Sequence, residues 1–177
     1  NKSFQNYERI AQVMQHQTFD GEINTQTANP YLMGDEIRDK YGSDFKHVIQ
    51  ASWTGEHLLT FAEKKLTKTG NYFEPAITEM LSLKMLKGTR SGLKDMNSVL
   101  LSESVAKAYF GDEDPVGKLM KVDNKLNVKV TGVYADLPYN SDFKDLSFIL
   151  PWELYLDNNP WVKENTNPWR SNFTQTY

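Results

Sequence analysis

Residues 102–118 read SESVAKAYFGDEDPVGK, with a glycine at 111, carboxylates at 112–114 and a Gly-Lys pair at 117–118. Two kinds of site use such residues. A phosphate loop offers backbone N–H groups at its glycines, and a calcium loop offers carboxylates at alternating positions. The phosphate reading fails on three counts. Five residues rather than four separate Gly111 from Gly117, Leu119 stands where a magnesium-binding hydroxyl is needed, and Asp112, Glu113 and Asp114 would repel phosphate oxygens. The calcium reading puts Asp112, Asp114 and Gly117 at positions one, three and six of an EF-hand-like loop. Val116 at position five has no side-chain oxygen, and Asp123 at position twelve is too short to imitate a bidentate glutamate. The stretch reads as a solvated acidic turn.

Other catalytic arrangements are weaker. His16, His47 and His57 show no metal-ligand spacing, Ser102 and Ser104 lack a nucleophile elbow, and the absence of cysteine removes thiol chemistry and thiolate metal sites. The acidic pairs Asp20/Glu22 and Asp142/Asp145 would serve a hydrolase only by facing each other across a cleft, roughly 5 to 10 Å apart in the glycosidase case. The aromatic residues Trp152, Tyr155, Trp161, Trp169, Phe173 and Tyr177 crowd the C-terminal quarter. They either anchor an irregular segment or present a stacking surface for a sugar or peptide. The surface reading makes Trp161, Trp169 and Tyr177 a candidate interaction surface lining one exposed groove.

The chain has 177 residues, 39% hydrophobic and 24% charged, with a formal net charge of -3. That suits a folded domain, and without a basic block nucleic acid is excluded as the expected partner. No apolar run approaches the ~18 to 20 residues that cross a bilayer. The N-terminus carries neither an initiator Met nor a signal-peptide core, so the expectation is a piece of a longer protein.

The elements that must position these residues follow from spacing. Phe4, Tyr7, Ile10, Ala11 and Met14 fall at helical intervals over 3–14. Asp20-Gly21 predicts a hairpin turn, and a second helix after Pro30 is expected to end at Gly42. Residues 46–53 and 56–67 read as strands joined around Gly55, and 75–86 as a short helix. Residues 97–103 read as a buried strand entering a helix that Ser102 caps, that Glu103 favours through the helix dipole, and that Gly111 ends. Pro115 blocks its resumption, and 118–138 form a hairpin turning at Asp123-Asn124. Residues 146–156 read as a strand passing into a short helix. Strands and helices mix without a regular βαβ alternation, which predicts an α+β fold.

The stretch from Asn97 to Lys144 resembles the extracytoplasmic core domain of MacB-like permeases of the FtsX family of ABC transporters. The resemblance rests on Ser102 and Glu103 after a strand, Phe110-Gly111 ending a helix, Asp114-Pro115, Gly117-Lys118 opening a hairpin, Gly132-Val133, Pro138 and Asn140-Ser141. A weaker likeness covers most of residues 3–161. Leu81 and Leu83 depart from it where aromatics are commoner, and ILPWELY followed by NPW is similar to the large Bacteroides-type permeases.

The resemblance implies mixed sheets with a βαβ porter-like lobe and a second small mixed lobe. Residues 1–177 would then be a periplasmic domain of a bacterial inner-membrane protein, with the closing part of the domain expected beyond Tyr177. It implies that ATP is used by a separate cytoplasmic ATPase domain or subunit. The domain itself would hold no cofactor or metal and would transmit motion to an adaptor or substrate outside the membrane, beside a second permease subunit. The matched positions are fold signatures and bring no catalytic role. The alternative is a secreted sugar- or peptide-binding module using the C-terminal aromatics.

Overall fold

In this computed structural model of the chain, the described residues are 4, 7–169 and 172–177. The strands and helices are β1 (Gln15–Phe19), β2 (Glu22–Gln26), β3 (Asn29–Pro30), α1 (Met33–Tyr41), β4 (Gln50–Ala51), β5 (Gly55–Phe61) and β6 (Lys64–Phe73). There follow α2 (Ile77–Met80), β7 (Met85–Gly88), β8 (Ser98–Ser102), α3 (Glu103–Phe110), β9 (Leu119–Val122) and β10 (Leu126–Tyr134). The chain ends with β11 (Phe148–Pro151), α4 (Trp152–Asn158) and β12 (Asn172–Thr176).

β1 and β2 form a separate two-stranded ribbon. The other ten strands make one mixed sheet in the order β11-β8-β10-β9-β5-β6-β4-β12-β3, with β7 on β10. β11 also pairs in parallel with β6, so six strands close into a ring. β8 and β10 are parallel, and the crossover between them carries α3 and β9. A parallel pair needs such a crossover because a tight turn cannot return the chain in the same direction. The fold is α+β with a βαβ unit inside a mixed sheet.

Alternation along the strands builds two apolar clusters. Val99 and Leu101 of β8, Phe148 and Leu150 of β11 and Tyr72 of β6 enter the first, where α3 and α4 add Val105, Tyr109, Phe110, Trp152, Leu154 and Leu156. Leu100, Ile149 and Phe73, each offset by one residue, enter the second with Ile77, Leu81 and Leu93. All five residues of β8 are buried, as a strand covered on both faces requires.

Several sequence expectations need correction. Residues 3–14 do not form a continuous helix. Tyr7–Arg9 make one 3-10 turn, 10–14 are extended or irregular, and residues 1–3, 5 and 6 lie outside the described residues. Long-range pairing wins there, since the Val13 N–H donates to the Thr176 carbonyl at 2.9 Å. The expected strand over 56–67 is two strands, with a turn at Ala62-Glu63 made by an alanine at φ 49°. A turn that forces alanine to a positive φ carries no Gly or Asn signal. Strand 46–53 shrinks to Gln50–Ala51, and helix 75–86 to Ile77–Met80 before β7 begins. α1 does end at Gly42, its C-cap, although Gly42 keeps a helical φ of -58° and leads into a 3-10 turn.

The ring closes because Gly70 has no side chain. It lies opposite Phe148 in the β6–β11 pair, and a Cβ at residue 70 would stand 2.4 Å from the buried Phe148 ring. Gly70→Ala is therefore expected to lower unfolding stability by about 1–3 kcal/mol through overpacking. Adding Phe148→Leu to that variant should recover part of the loss, because the new methyl would then have room. Urea denaturation of the two variants checks both, and an unchanged midpoint for Gly70→Ala would contradict the packing account.

Candidate functional site

The residues singled out between 102 and 118 assemble one end of α3. The Ser102 hydroxyl accepts from the Val105 N–H at 3.4 Å, and Asp136, from beyond β10, accepts from the Ser104 N–H at 3.0 Å and from the Ser104 hydroxyl. Two side chains thus satisfy N–H and O–H groups in a turn that otherwise leaves donors orphaned. Partial burial would raise the Asp136 carboxyl, but hydrogen bonds from Ser104 and Ser102 outweigh it and hold its pKa below the usual value. At the other end, Gly111 sits at φ 61° and its N–H reaches Lys107 O at 2.9 Å. Lys64 donates to the carbonyls of Ala108 and Tyr109, where the helix collects partial negative charge.

The acidic turn is occupied by protein groups. Asp114 accepts from the Val116 N–H at 3.2 Å and from Lys87 Nζ at 3.3 Å, which together hold its carboxyl below the usual value. Lys118 pairs with Glu113 at 3.4 Å. Gly117, at φ 86°, donates its N–H to Val130 O at 2.8 Å, and Pro115 is buried. Gly132 is packed so tightly that a Cβ there would meet Met85 at 2.9 Å. Ser141, also buried, accepts from the Phe143 N–H through its hydroxyl and bonds its own N–H to Pro138 O, so that Pro138, Asn140 and Ser141 form one turn before β11. Glu103 is exposed in the first turn of α3 and Phe110 is buried at its end.

Among the described residues, no group of three or more His, Asp or Glu is placed to hold a metal ion. Asp20 and Glu22 flank the exposed β1–β2 turn, and Asp142 and Asp145 line different cavities. His57 Nδ1 lies 2.6 Å from Asp123 Oδ2 and packs edge-on to Tyr72 and Phe148. Asp123 Oδ1 accepts the Leu58 N–H, and the Asp123 N–H donates to Leu58 O, so this pair staples the short β5–β9 seam. Burial, with Asp123 and Tyr155 nearby, pushes the Tyr72 phenol up to about 12. Arg38 grips the Glu74 carboxylate through both guanidinium nitrogens at 3.0–3.1 Å, and the Gln50 N–H donates to the same carboxylate at 2.9 Å. Burial nevertheless raises the Glu74 carboxyl, against the pull of Gln50 and Arg38. Each of these groups ties one element to another.

Of the three aromatics expected to form a surface, Tyr177 lines a cavity whose described wall includes neither Trp161 nor Trp169. Trp161 is half-exposed against Phe173, with ring centroids 4.8 Å apart, and Trp169 is 46% exposed. Tyr177 instead joins Phe73 and Phe143 and lines a cavity of about 440 Å³ with Gln12, Trp53, Asp142 and Gln175. Burial, then the Asp142 charge, pushes its phenol up to about 12.

Sequence reasoning missed the feature that organises this region. The Ile49 and Tyr177 backbones exchange N–H···O=C bonds of 2.8 and 2.9 Å. The Val13 N–H bonds to Thr176 O, Asn29 donates to Val13 O at 3.1 Å, and Gln12 donates to the Tyr177 hydroxyl at 3.3 Å. The segment around residues 12–13 and β12 are thereby fastened to each other, and β12 to the sheet. No spacing rule finds this, because 165 positions separate Gln12 from Tyr177.

A family model described as the MacB-like periplasmic core domain matches residues 1–174, and the chain belongs to that family. Three solved structures share its fold. A domain of a protein assigned as a permease from Porphyromonas gingivalis superposes with a TM-score of 0.68 at 22% identity, over 88% of this chain and 64% of that one. The periplasmic region of MacB from Actinobacillus actinomycetemcomitans gives 0.55 at 20% identity, over 84% and 71%. The extracellular domain of the noncanonic ABC-type transporter YknZ from Gram-positive bacteria gives 0.60 at 15% identity, over 85% and 73%. This chain thus spans just under two thirds of the first of these structures. No curated protein matches it. Among the described residues no helix is long and apolar enough to cross a membrane.

The Asp136 contact makes a pH-dependent prediction. A carboxyl whose folded pKa is lowered binds fewer protons than it does unfolded, so its stabilisation is present above the unfolded value and is lost as pH falls through the folded one. Asp136→Ala is expected to cost about 1 kcal/mol at pH 7 after allowance for solvent screening. The cost should vanish once both states are protonated, below the lowered pKa. Thermal melts of both proteins from pH 7 down to the acid limit measure this, and a pH-independent difference would contradict it.

Proposed function

We propose that this member of the MacB-like periplasmic core domain family transmits mechanical work as the external domain of an ABC transporter permease, without bond-making chemistry of its own. In this reading ATP is hydrolysed by a separate cytoplasmic ATPase domain or subunit. A second permease subunit completes the assembly, and an adaptor or substrate outside the membrane receives the motion. The observation that carries the reading is the joint between residues 12–13, β12 and β4. A displacement applied near residue 13 or residue 177 enters the ten-stranded sheet through β12 and β4, next to β6 of the six-strand ring. A mechanical coupler needs a two-state motion at its connections and stiffness within itself.

The Arg38–Glu74, His57–Asp123 and Lys87–Asp114 pairs support the same reading, because each bridges one element to another. The secreted sugar- or peptide-binding alternative draws no support from Trp161 and Trp169, which line none of the cavity walls that Tyr177 does.

The test is spin-label distance measurement in the intact permease dimer. The domain has no cysteine, so Lys65→Cys and Lys107→Cys, both at exposed positions, give unique labels within it. The 65–107 distance within one protomer should stay constant between nucleotide-free and ATP-trapped states, while the 107–107 distance between protomers shifts. An unchanged distance between protomers, or a change within one, would overturn the proposal.

A further inference from the structure

The cleft between α1, α2 and the 3-10 turn Arg90–Lys94 holds cations that no ion pair accounts for. Its volume of about 380 Å³ lies in the range of small-molecule sites, roughly 300–1,000 Å³. The side chains of Arg38, Arg90 and Lys94 line it together with those of Glu74 and Glu79, which leaves one positive charge in excess. Arg38 is taken up by Glu74 and by Asp35, at 3.0 and 3.2 Å. Glu79 stands on a rim shared with a second cleft, where its Oε2 lies 3.7 Å from His47 Nε2. Arg90 and Lys94 remain, both at exposed positions.

Arg90 is held in place before any ligand arrives. Its Nε donates to the Leu83 carbonyl at 3.1 Å, and its own carbonyl accepts from the Thr78 hydroxyl at 3.0 Å. Leu93 of the same turn is buried in the second apolar cluster and fixes the turn against the sheet. Among the described residues no group takes the N–H donors on the two terminal nitrogens of Arg90, and none pairs with the Lys94 ammonium. A guanidinium fork matches a carboxylate through two parallel bonds, and an ammonium in the same cleft adds a point charge. Val48, Pro75 and Ala76 line the cleft as well and supply its apolar surface.

We propose that this cleft is a binding site for a small organic monoanion, a carboxylate carried on a short alkyl body. The carboxylate meets the Arg90 fork and the Lys94 ammonium, and the alkyl body packs on Pro75 and Ala76. One charge is the limit, because the lining has an excess of one and the Glu74 and Glu79 carboxylates repel a second. The site goes beyond the mechanical role and does not rest on it.

The probes are isovalerate, neutral isoamyl alcohol, cationic isoamylammonium and inorganic phosphate, titrated into the 177-residue chain while the Ser91 and Lys94 backbone amides are followed by NMR. Isovalerate should give a saturable shift with a Kd of about 1 mM, in keeping with its few heavy atoms. Isoamyl alcohol should bind about 10-fold more weakly, as expected for loss of the charge-assisted bonds, and isoamylammonium not at all. Phosphate, with more charge and no alkyl body, should bind more weakly than isovalerate. Lys94→Gln, at an exposed position, should weaken isovalerate about 3-fold and leave isoamyl alcohol unchanged. Absence of a saturable shift with isovalerate overturns the proposal. So does equal binding of isovalerate and isoamyl alcohol to the unaltered chain, a comparison that needs no variant to fold. Tighter binding of phosphate than of isovalerate, or equal affinity of isovalerate for Lys94→Gln and the unaltered chain, also overturns it.

Discussion

The rest of this structure depends on the short ladder in which β4 takes β12 on one side and β6 on the other. Gln50 and Ala51 pair with Thr176 and Gln175, and Ala51 also pairs with Phe73. Two residues of strand are little to hold a sheet together, and the ladder is reinforced by polar side chains inside it. The Ser52 hydroxyl donates to Asn71 Oδ1 at 2.5 Å, and Asn71 Nδ2 returns a bond to the Ser52 carbonyl at 3.0 Å. Thr174, fully buried, donates from its hydroxyl to Asn29 O at 2.9 Å. Buried polar groups cost free energy unless matched, so each match penalises any slipped register. That specificity is what a strand of two residues cannot supply through its backbone alone.

From this ladder the two halves of the molecule follow. On one side the ladder leads into β6 and the six-strand ring, filled by α3, α4 and the first apolar cluster. On the other side it leads to β12, β3 and the segment around Val13. α1 is locked across it by Arg38, which reaches Glu74, the Gln50 amide oxygen and the Val48 carbonyl. Gly34 permits that approach, since a Cβ there would overlap the Gln50 side chain.

The legibility of the sequence tracks the distance over which each feature is decided. The run from 97 to 138 was readable because its instructions are local. Ser102 caps, Gly111 takes a positive φ, and Asp123 and Asn124 turn the hairpin at φ 52° and 56°. The same holds for Asp20-Gly21. The β5–β6 turn escaped because Ala62 holds a positive φ imposed by the strands on either side rather than by its own preference. The N-terminal apolar spacing misled because Phe4 and Ile10 do meet one apolar cluster, but the chain leaves its single 3-10 turn to pair with β12 through the Val13 N–H rather than continue as a helix. The joint and the cavity were out of reach, because their walls come from both ends of the chain and meet only when the sheet is complete.

The measurement closest to the central claim is native-state hydrogen exchange on the Val13, Ile49 and Tyr177 amides. These three N–H groups bond to Thr176 O, Tyr177 O and Ile49 O and so form the joint itself. A stiff joint predicts that they exchange as slowly as the amides of the β8–β10 ladder, through the same cooperative opening of the sheet. Fast exchange at Val13 and Tyr177, with the β8–β10 amides still protected, would mean that the joint opens by local fraying. A displacement could not then pass through it, and the domain could not act as a coupler.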